Sequence, residues 1–202
     1  MPDHYYTQTP TSAHKPGQVD FLWRGAKLVF ETDSGVFSRT EIDKGTEILL
    51  NALPEELTGS LLDMGCGYGV IGVTLGKRYP GLSVVMSDVN ERAVELSRRN
   101  AQRNGVPARV MQSDGYADVP FQRMDWIVQN PPIRAGKSVI YAMFAEGARR
   151  LEPSGELWLV IRKQQGAESA AAYLKTLFGQ VEAVTKKGGY WVLRCVQPVE
   201  NI

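Results

Sequence analysis

One stretch constrains this chain more than any other. Ser60-Leu61-Leu62-Asp63-Met64 reads as a short buried strand, Gly65-Cys66-Gly67-Tyr68-Gly69 follow at once, and Gly69 to Arg78 read as a helix. Glycine adopts positive φ and lets other groups approach the backbone closely. A strand that enters a helix through such a loop belongs in an open, mostly parallel sheet, with a ligand crevice at the strand ends. The rest of the chain keeps the alternation. Strands are expected at 82–87, 108–112, 125–128, 156–161, 181–185 and 190–196, and helices at 90–104, 137–151 and 166–178. Lys186-Lys187-Gly188-Gly189 joins the last two strands tightly, so the final strand must run antiparallel. Helices on both faces of one α/β sheet follow.

Ahead of this unit, residues 1–20 read as an irregular arm. Phe21 to Phe30 reads as a β-hairpin around Gly25, and Asp43 as the N-cap of a helix running to about Leu53. We therefore divide the chain into an arm and hairpin, residues 1–40, and one compact unit, residues 41–202. With 202 residues, 43% of them hydrophobic, one full core is available. No apolar run approaches the ~20 residues of a membrane span, and Met1 to Pro10 lacks the pattern of a secretory leader. Cys66 and Cys195 alone make neither a disulfide framework nor a zinc site, so no metal and a reduced, cytoplasmic setting are expected. The net charge of +1 announces no nucleic-acid binder, so any RNA contact must come from local clustering.

Gly67-Tyr68-Gly69-Val70-Ile71-Gly72 satisfies the dinucleotide pattern G-x-G-x-x-G, which alone is a weak signal. Asp63 weighs against it. A carboxylate just before the loop repels a pyrophosphate, whereas S-adenosylmethionine carries an ammonium and a sulfonium. Asp88, with Val89, ends the second strand, where a carboxylate can take both hydroxyls of a ribose. Ser113-Asp114-Gly115 ends the third strand, with Asp114 a candidate acceptor for an adenine amine.

Asn130-Pro131-Pro132-Ile133 follows the fourth strand. Prolines fix the corner and remove N–H donors, leaving an acceptor-rich site suited to an –NH2 group. An amine conjugated to a ring or carbonyl is a poor nucleophile. Accepting its two hydrogens, on the Asn130 side chain and the Pro131 carbonyl, aims the lone pair at a methyl group by orientation and placed dipoles.

The Asp63 glycine loop, Asp88 and Asn130-Pro131-Pro132 together resemble class I S-adenosylmethionine-dependent methyltransferases acting on planar nitrogen. Gly35-Val36-Phe37-Ser38 with Asp43-Lys44-Gly45-Thr46 narrows the likeness to the small methyltransferase domain of the ribosomal RNA (guanine-N2-)-methyltransferases, from about Phe30 to Val196. Single-domain members share Asn130 to Lys137. The resemblance implies a Rossmann-like seven-stranded sheet with an antiparallel last strand. It implies that Phe37 and Lys44-Gly45-Thr46 cover the methionine end of the cofactor, Thr46 meeting its carboxylate at a helix N-terminus. Cofactor contacts are then expected from Phe37, Thr46, Asp63, Gly65, Cys66, Gly67, Tyr68, Gly69, Asp88, Val89, Ser113, Asp114, Gly115 and Asn130. Where many relatives carry an aromatic, this chain has Ile133, which packs against a base without stacking on it. Larger relatives also carry a second, substrate-binding domain.

The implied partner is ribosomal RNA or a ribosomal particle. Arg134, Lys137, Arg162, Lys163, Lys186 and Lys187 follow strand ends and are the candidate phosphate contacts, extended by Lys15, Arg24, Lys27 and Arg39. Trp23, Tyr5 and Tyr6 are candidates for base stacking. Two other readings stand beside RNA guanine methylation: a methyltransferase of protein glutamine amides, and a non-catalytic cofactor- or RNA-binding module.

Overall fold

The computed structural model describes residues 8–199. β1 (Gly17–Trp23) and β2 (Ala26–Thr32) form a separate antiparallel hairpin. The main sheet holds β3 (Gly59–Met64), β4 (Leu82–Asp88), β5 (Ala108–Gln112), β6 (Met124–Gln129), β7 (Leu151–Arg162), β8 (Phe178–Lys187) and β9 (Tyr190–Pro198) in the order β5-β4-β3-β6-β7-β9-β8. β3, β4, β5, β6 and β7 run parallel to one another, and β9 is antiparallel to both β7 and β8. The seven-stranded, mostly parallel α/β sheet with an antiparallel last strand is the architecture expected. Gly188 (φ 57°) and Gly189 (φ 81°) make the β8–β9 turn, the conformation two-residue hairpin loops favour.

Burial on both faces explains the unbroken apolar runs of the central strands. Their alternation sorts side chains between two cores. Leu61, Val84, Met86, Val128, Trp158 and Val192 meet α1 (Lys44–Ala52), α2 (Val70–Arg78), α3 (Glu91–Arg103) and the hairpin. Leu62, Val85, Ile127, Leu157, Leu159 and Leu193 meet α4 (Lys137–Arg149) and α5 (Ala167–Leu174).

The boundaries differ from expectation in three places. β1 begins at Gly17, within the stretch expected to be an irregular arm, because residues 17–20 pair with residues 29–32 of β2. α4 stops at Arg149, and Leu151 already pairs with Met124, so β7 begins five residues before Glu156. α5 stops at Leu174, because Phe178 is buried as a strand residue paired with Pro198.

The hairpin is bonded to α3 by two side-chain amides. Asn104 exchanges hydrogen bonds with the backbone N–H and C=O of Val29, and Asn100 does the same with Glu31. Residues four apart on a helix face match residues two apart on a strand, so the amides act as a neighbouring strand would. Asn100 also donates to Tyr68 O in the glycine loop. Among the described residues no helix is long and apolar enough to cross a membrane.

Candidate functional site

A cavity of about 490 Å³ opens where β3, β4, β5 and β6 end. It gathers residues distant in sequence: Phe37, Thr46, Gly65, Cys66, Gly67, Tyr68, Asp88, Val89, Ser113, Asp114, Gly115, Asn130, Pro131 and Pro132 all line it. Asp63, Gly69 and Ile133 do not.

The loop between β3 and α2 is shaped for a ligand. Gly65, Gly67 and Gly69 all have positive φ, at 71°, 55° and 92°. A Cβ at Gly65 or Gly67 would meet no protein atom within 4 Å, whereas one at Gly69 would press on Ser97 and Val73. The space above the first two glycines therefore faces the cavity, and Gly69 serves the entry into α2. This fits the expected cofactor, whose main chain and sulfur need close backbone approach.

Two carboxylates organise the loop. Asp88 accepts from Gly67 N–H at 2.8 Å and from Asn90 N–H at 2.9 Å. Asp63 is fully buried, accepts from Gly72 N–H at 2.8 Å with Oδ2, and leaves Oδ1 without a protein partner. It stands beneath the loop, outside the cavity lining, so direct contact with a cofactor cation is replaced by support of the α2 N-terminus. Burial pushes Asp63 up to about 7 and Asp88 up to about 6. Each raised carboxyl binds its proton better folded than unfolded. The unliganded protein thus loses stability as pH rises from about 4 through these values. Asp63→Asn keeps the acceptor and removes the larger cost. It is expected to melt several degrees above the parent at pH 8 and alike at pH 4. A pH-independent difference in thermal denaturation would count against this account.

At the β6 end, the geometry of Asn130 follows from Asp43. Asp43 caps α1 by accepting from Thr46 N–H at 2.9 Å. Asn130 Nδ2 donates to Asp43 Oδ2 at 3.1 Å and to Thr46 Oγ1 at 3.0 Å. A carboxylate only accepts, so it selects the amide's NH2 and turns Asn130 Oδ1 away as an acceptor. The same cap alters the expectation for Thr46. Its N–H is already taken by the Asp43 carboxylate, which leaves its side chain as the group that borders the cavity. Pro131 O accepts from Ile133 N–H at 2.9 Å across Pro132, an inverse γ-turn. It keeps one lone pair for a substrate hydrogen. Ile133 packs against the α4–α5 core. From sequence, Asp43 reads only as a helix cap, and Gln8, Val139 and Met143, which also line the cavity, carry no signal that would place them there.

The basic residues divide. Arg134, Lys137, Lys163, Lys186 and Lys187 are all at least partly exposed. Lys186 lies over the Trp191 ring, on the α4–α5 face. Lys187 pairs with Tyr190 on the opposite face. Lys163 N–H donates to Gly189 O, and its ammonium is 3.7 Å from Glu168. Arg162 donates to Tyr190 Oη. Tyr190 lies against Gly45, where a Cβ would be 2.7 Å from its ring. Arg162 and Lys187 thus share the face on which Tyr190 meets the α1 N-terminus that orients Asn130, whereas the Lys163 side chain is turned to Glu168 of α5. Arg24 does not extend this rim, since it binds Leu53 O, Pro54 O and Tyr79 Oη. Trp23 is a core residue bonded to Asn51. Tyr5 and Tyr6 lie outside the described residues.

A family model described as the methyltransferase small domain matches residues 27–194. Bacillus subtilis has an uncharacterized protein, YbxB, that is 44% identical over 197 residues, 96% of this chain and 98% of that protein. The ribosomal RNA small subunit methyltransferase C of Hahella chejuensis is 42% identical over 170 residues, 78% of this chain and 49% of the relative. The chain thus spans about half the length of that relative. Among solved structures, the T. thermophilus 16S rRNA N2 G1207 methyltransferase, in complex with AdoMet and guanosine, superposes with a TM-score of 0.80 at 28% identity, over 92% of this chain and 51% of that one.

Proposed function

Because this chain belongs to the methyltransferase small domain family, we propose that it is an S-adenosylmethionine-dependent enzyme methylating the exocyclic N2 amine of guanine in ribosomal RNA. The observation that carries the nitrogen chemistry is the Asp43–Asn130 bond, which presents an acceptor oxygen at the cavity. The base and the RNA are supported by the likeness to the small subunit methyltransferases. The enzyme works in the cytoplasm on this reading.

Gly65 and Gly67 give the cofactor room. Asp88 and Val89 stand at the end of β4 for its ribose, and Ser113, Asp114 and Gly115 at the end of β5 for its adenine. Phe37 and Thr46 border the end near Asn130. S-adenosylmethionine supplies an activated methyl group. Asn130 Oδ1 and Pro131 O accept the two hydrogens of the target amine and turn its lone pair toward that methyl. They also stabilise the positive charge that grows on nitrogen, and one proton leaves to water after transfer. The fixed proline corner removes reorganisation at the reacting centre.

The test is transfer of radiolabelled methyl from S-adenosylmethionine to ribosomal RNA and ribosomal subunits, with a protein fraction in parallel, followed by nucleoside digestion. Label in N2-methylguanosine is expected. Label confined to glutamine amides would replace the substrate assignment.

The split of the basic residues gives a second expectation. Lys187→Glu, on the Asn130 side, is expected to weaken RNA binding and to lower the slope of log affinity against log salt by about 1, the share of the single phosphate that its ammonium neutralises. Lys186→Glu, held over Trp191 on the far face, should do less. Equal effects, or an unchanged slope for Lys187→Glu, would remove this rim from the interface.

A further inference from the structure

Two irregular segments form one wall of the cofactor cavity. The arm contributes Gln8, and the turn after β2 contributes Val36, Phe37 and Ser38. Neither has ladder hydrogen bonds, so what holds them must be sought elsewhere. Tyr68 Oη donates to Ser38 O at 3.1 Å and Ser34 Oγ to Ala13 O, and most of the remaining bonds come from the first turn of α3. Glu91 N–H donates to Gln8 O at 3.0 Å. Asn90, the N-cap, donates from Nδ2 to Gly35 O at 2.9 Å. Arg92 does most. Nη1 donates to Ser34 O at 2.9 Å and to the hydroxyls of Ser12 and Ser34 at 3.2 Å, and Nη2 donates to Ser12 O at 2.9 Å and Pro10 O at 3.5 Å. One planar guanidinium thus ties the arm to the turn. Asp33 adds a second tie, accepting from Lys15 N–H and pairing with His14. Arg92 lines a separate, outer cleft with Thr9 and Pro10, and does not line the cofactor cavity.

We propose that Arg92 is a positioning residue that clamps the arm and the 33–38 turn together as a cover over the cofactor cavity, slowing release of S-adenosylmethionine. The proposal rests on the reading of that cavity as the cofactor site. Covering and floor are coupled because the turn that holds the cover directly follows Asp88 and Val89, which line the floor. Loss of the clamp leaves the binding-competent cover populated for only part of the time, and apparent affinity falls by that fraction. The chemistry at Asn130 is untouched.

The test is S-adenosylmethionine binding by calorimetry, with dissociation rates by stopped flow and steady-state methyl transfer, on the parent, Arg92→Ala, Arg92→Lys and Arg98→Ala. Arg98 sits on the same helix and bonds Val110 O. Arg92→Ala is expected to raise Kd and the cofactor KM by about tenfold through faster dissociation, with kcat at saturation and Tm close to the parent. Arg92→Lys should fall between, and Arg98→Ala should match the parent. A Kd within about twofold of the parent for Arg92→Ala, or an equal loss in Arg98→Ala, would overturn the clamp. A parent that binds no S-adenosylmethionine would overturn both the clamp and the reading beneath it.

Discussion

Asn130→Ala is expected to reduce methyl transfer at saturating substrates by about 10²–10³-fold, the range seen when one preorganised dipole is removed from a reacting centre. Cofactor affinity should change little, because the glycine loop and Asp88 remain. Stability should also hold, since Asp43 keeps its bond from Thr46 N–H. The companion variant is Asp43→Asn. An amide can donate as well as accept, so it no longer dictates which end of Asn130 faces it. Turnover should then fall by about twofold, far less than in Asn130→Ala, because the competent orientation becomes one of two. Single-turnover transfer and calorimetric cofactor binding on each variant make the check. Turnover by Asn130→Ala within a few-fold of the parent would end the acceptor mechanism.

That coupling marks where the sequence stops being readable. Asp43 is legible as a helix cap, because capping is local and has a residue signature. Asn130 is legible because two prolines after a buried strand are costly without purpose. That one orients the other is not legible, since 87 residues separate them and no pattern of spacing encodes a contact between a helix start and a strand end. The sheet is legible for the opposite reason: its apolar runs and glycine turns are local, and the topology follows from alternation. The arm is the hardest. Gln8, Pro10 and Ser12 carry no periodicity, and Pro10 and Ser12 are bonded by an arginine on α3 at least 80 residues away. The basic rim fails in part because period-two alternation puts adjacent Lys186 and Lys187 on opposite faces.

Two glycines a few residues apart should separate ligand binding from folding. At Gly65 φ is 71° and an added Cβ would meet no protein atom within 4 Å. Gly65→Ala therefore carries only the left-handed backbone cost, about 1–2 kcal/mol, a loss of a few degrees in Tm for a chain of this size. Its methyl enters the space left for the cofactor, and affinity for S-adenosylmethionine should fall by about 100-fold or more, the ~3 kcal/mol of a steric overlap that rigid packing cannot relieve. Gly72 lies within α2, where alanine ordinarily stabilises by up to ~1 kcal/mol. Here its Cβ would stand 2.6 Å from Met86 Sδ and 2.7 Å from Met86 Cγ, with Asp63 Oδ2 at 3.2 Å. Met86 is fully buried and has nowhere to go. Overpacking of about 1–3 kcal/mol then outweighs the helical gain. Gly72→Ala should melt lower than the parent, yet bind cofactor far better than Gly65→Ala wherever it is folded. Thermal denaturation and calorimetry on the pair decide it. Near-parental cofactor affinity in Gly65→Ala would mean that the loop does not cradle the ligand, whatever the family resemblance suggests.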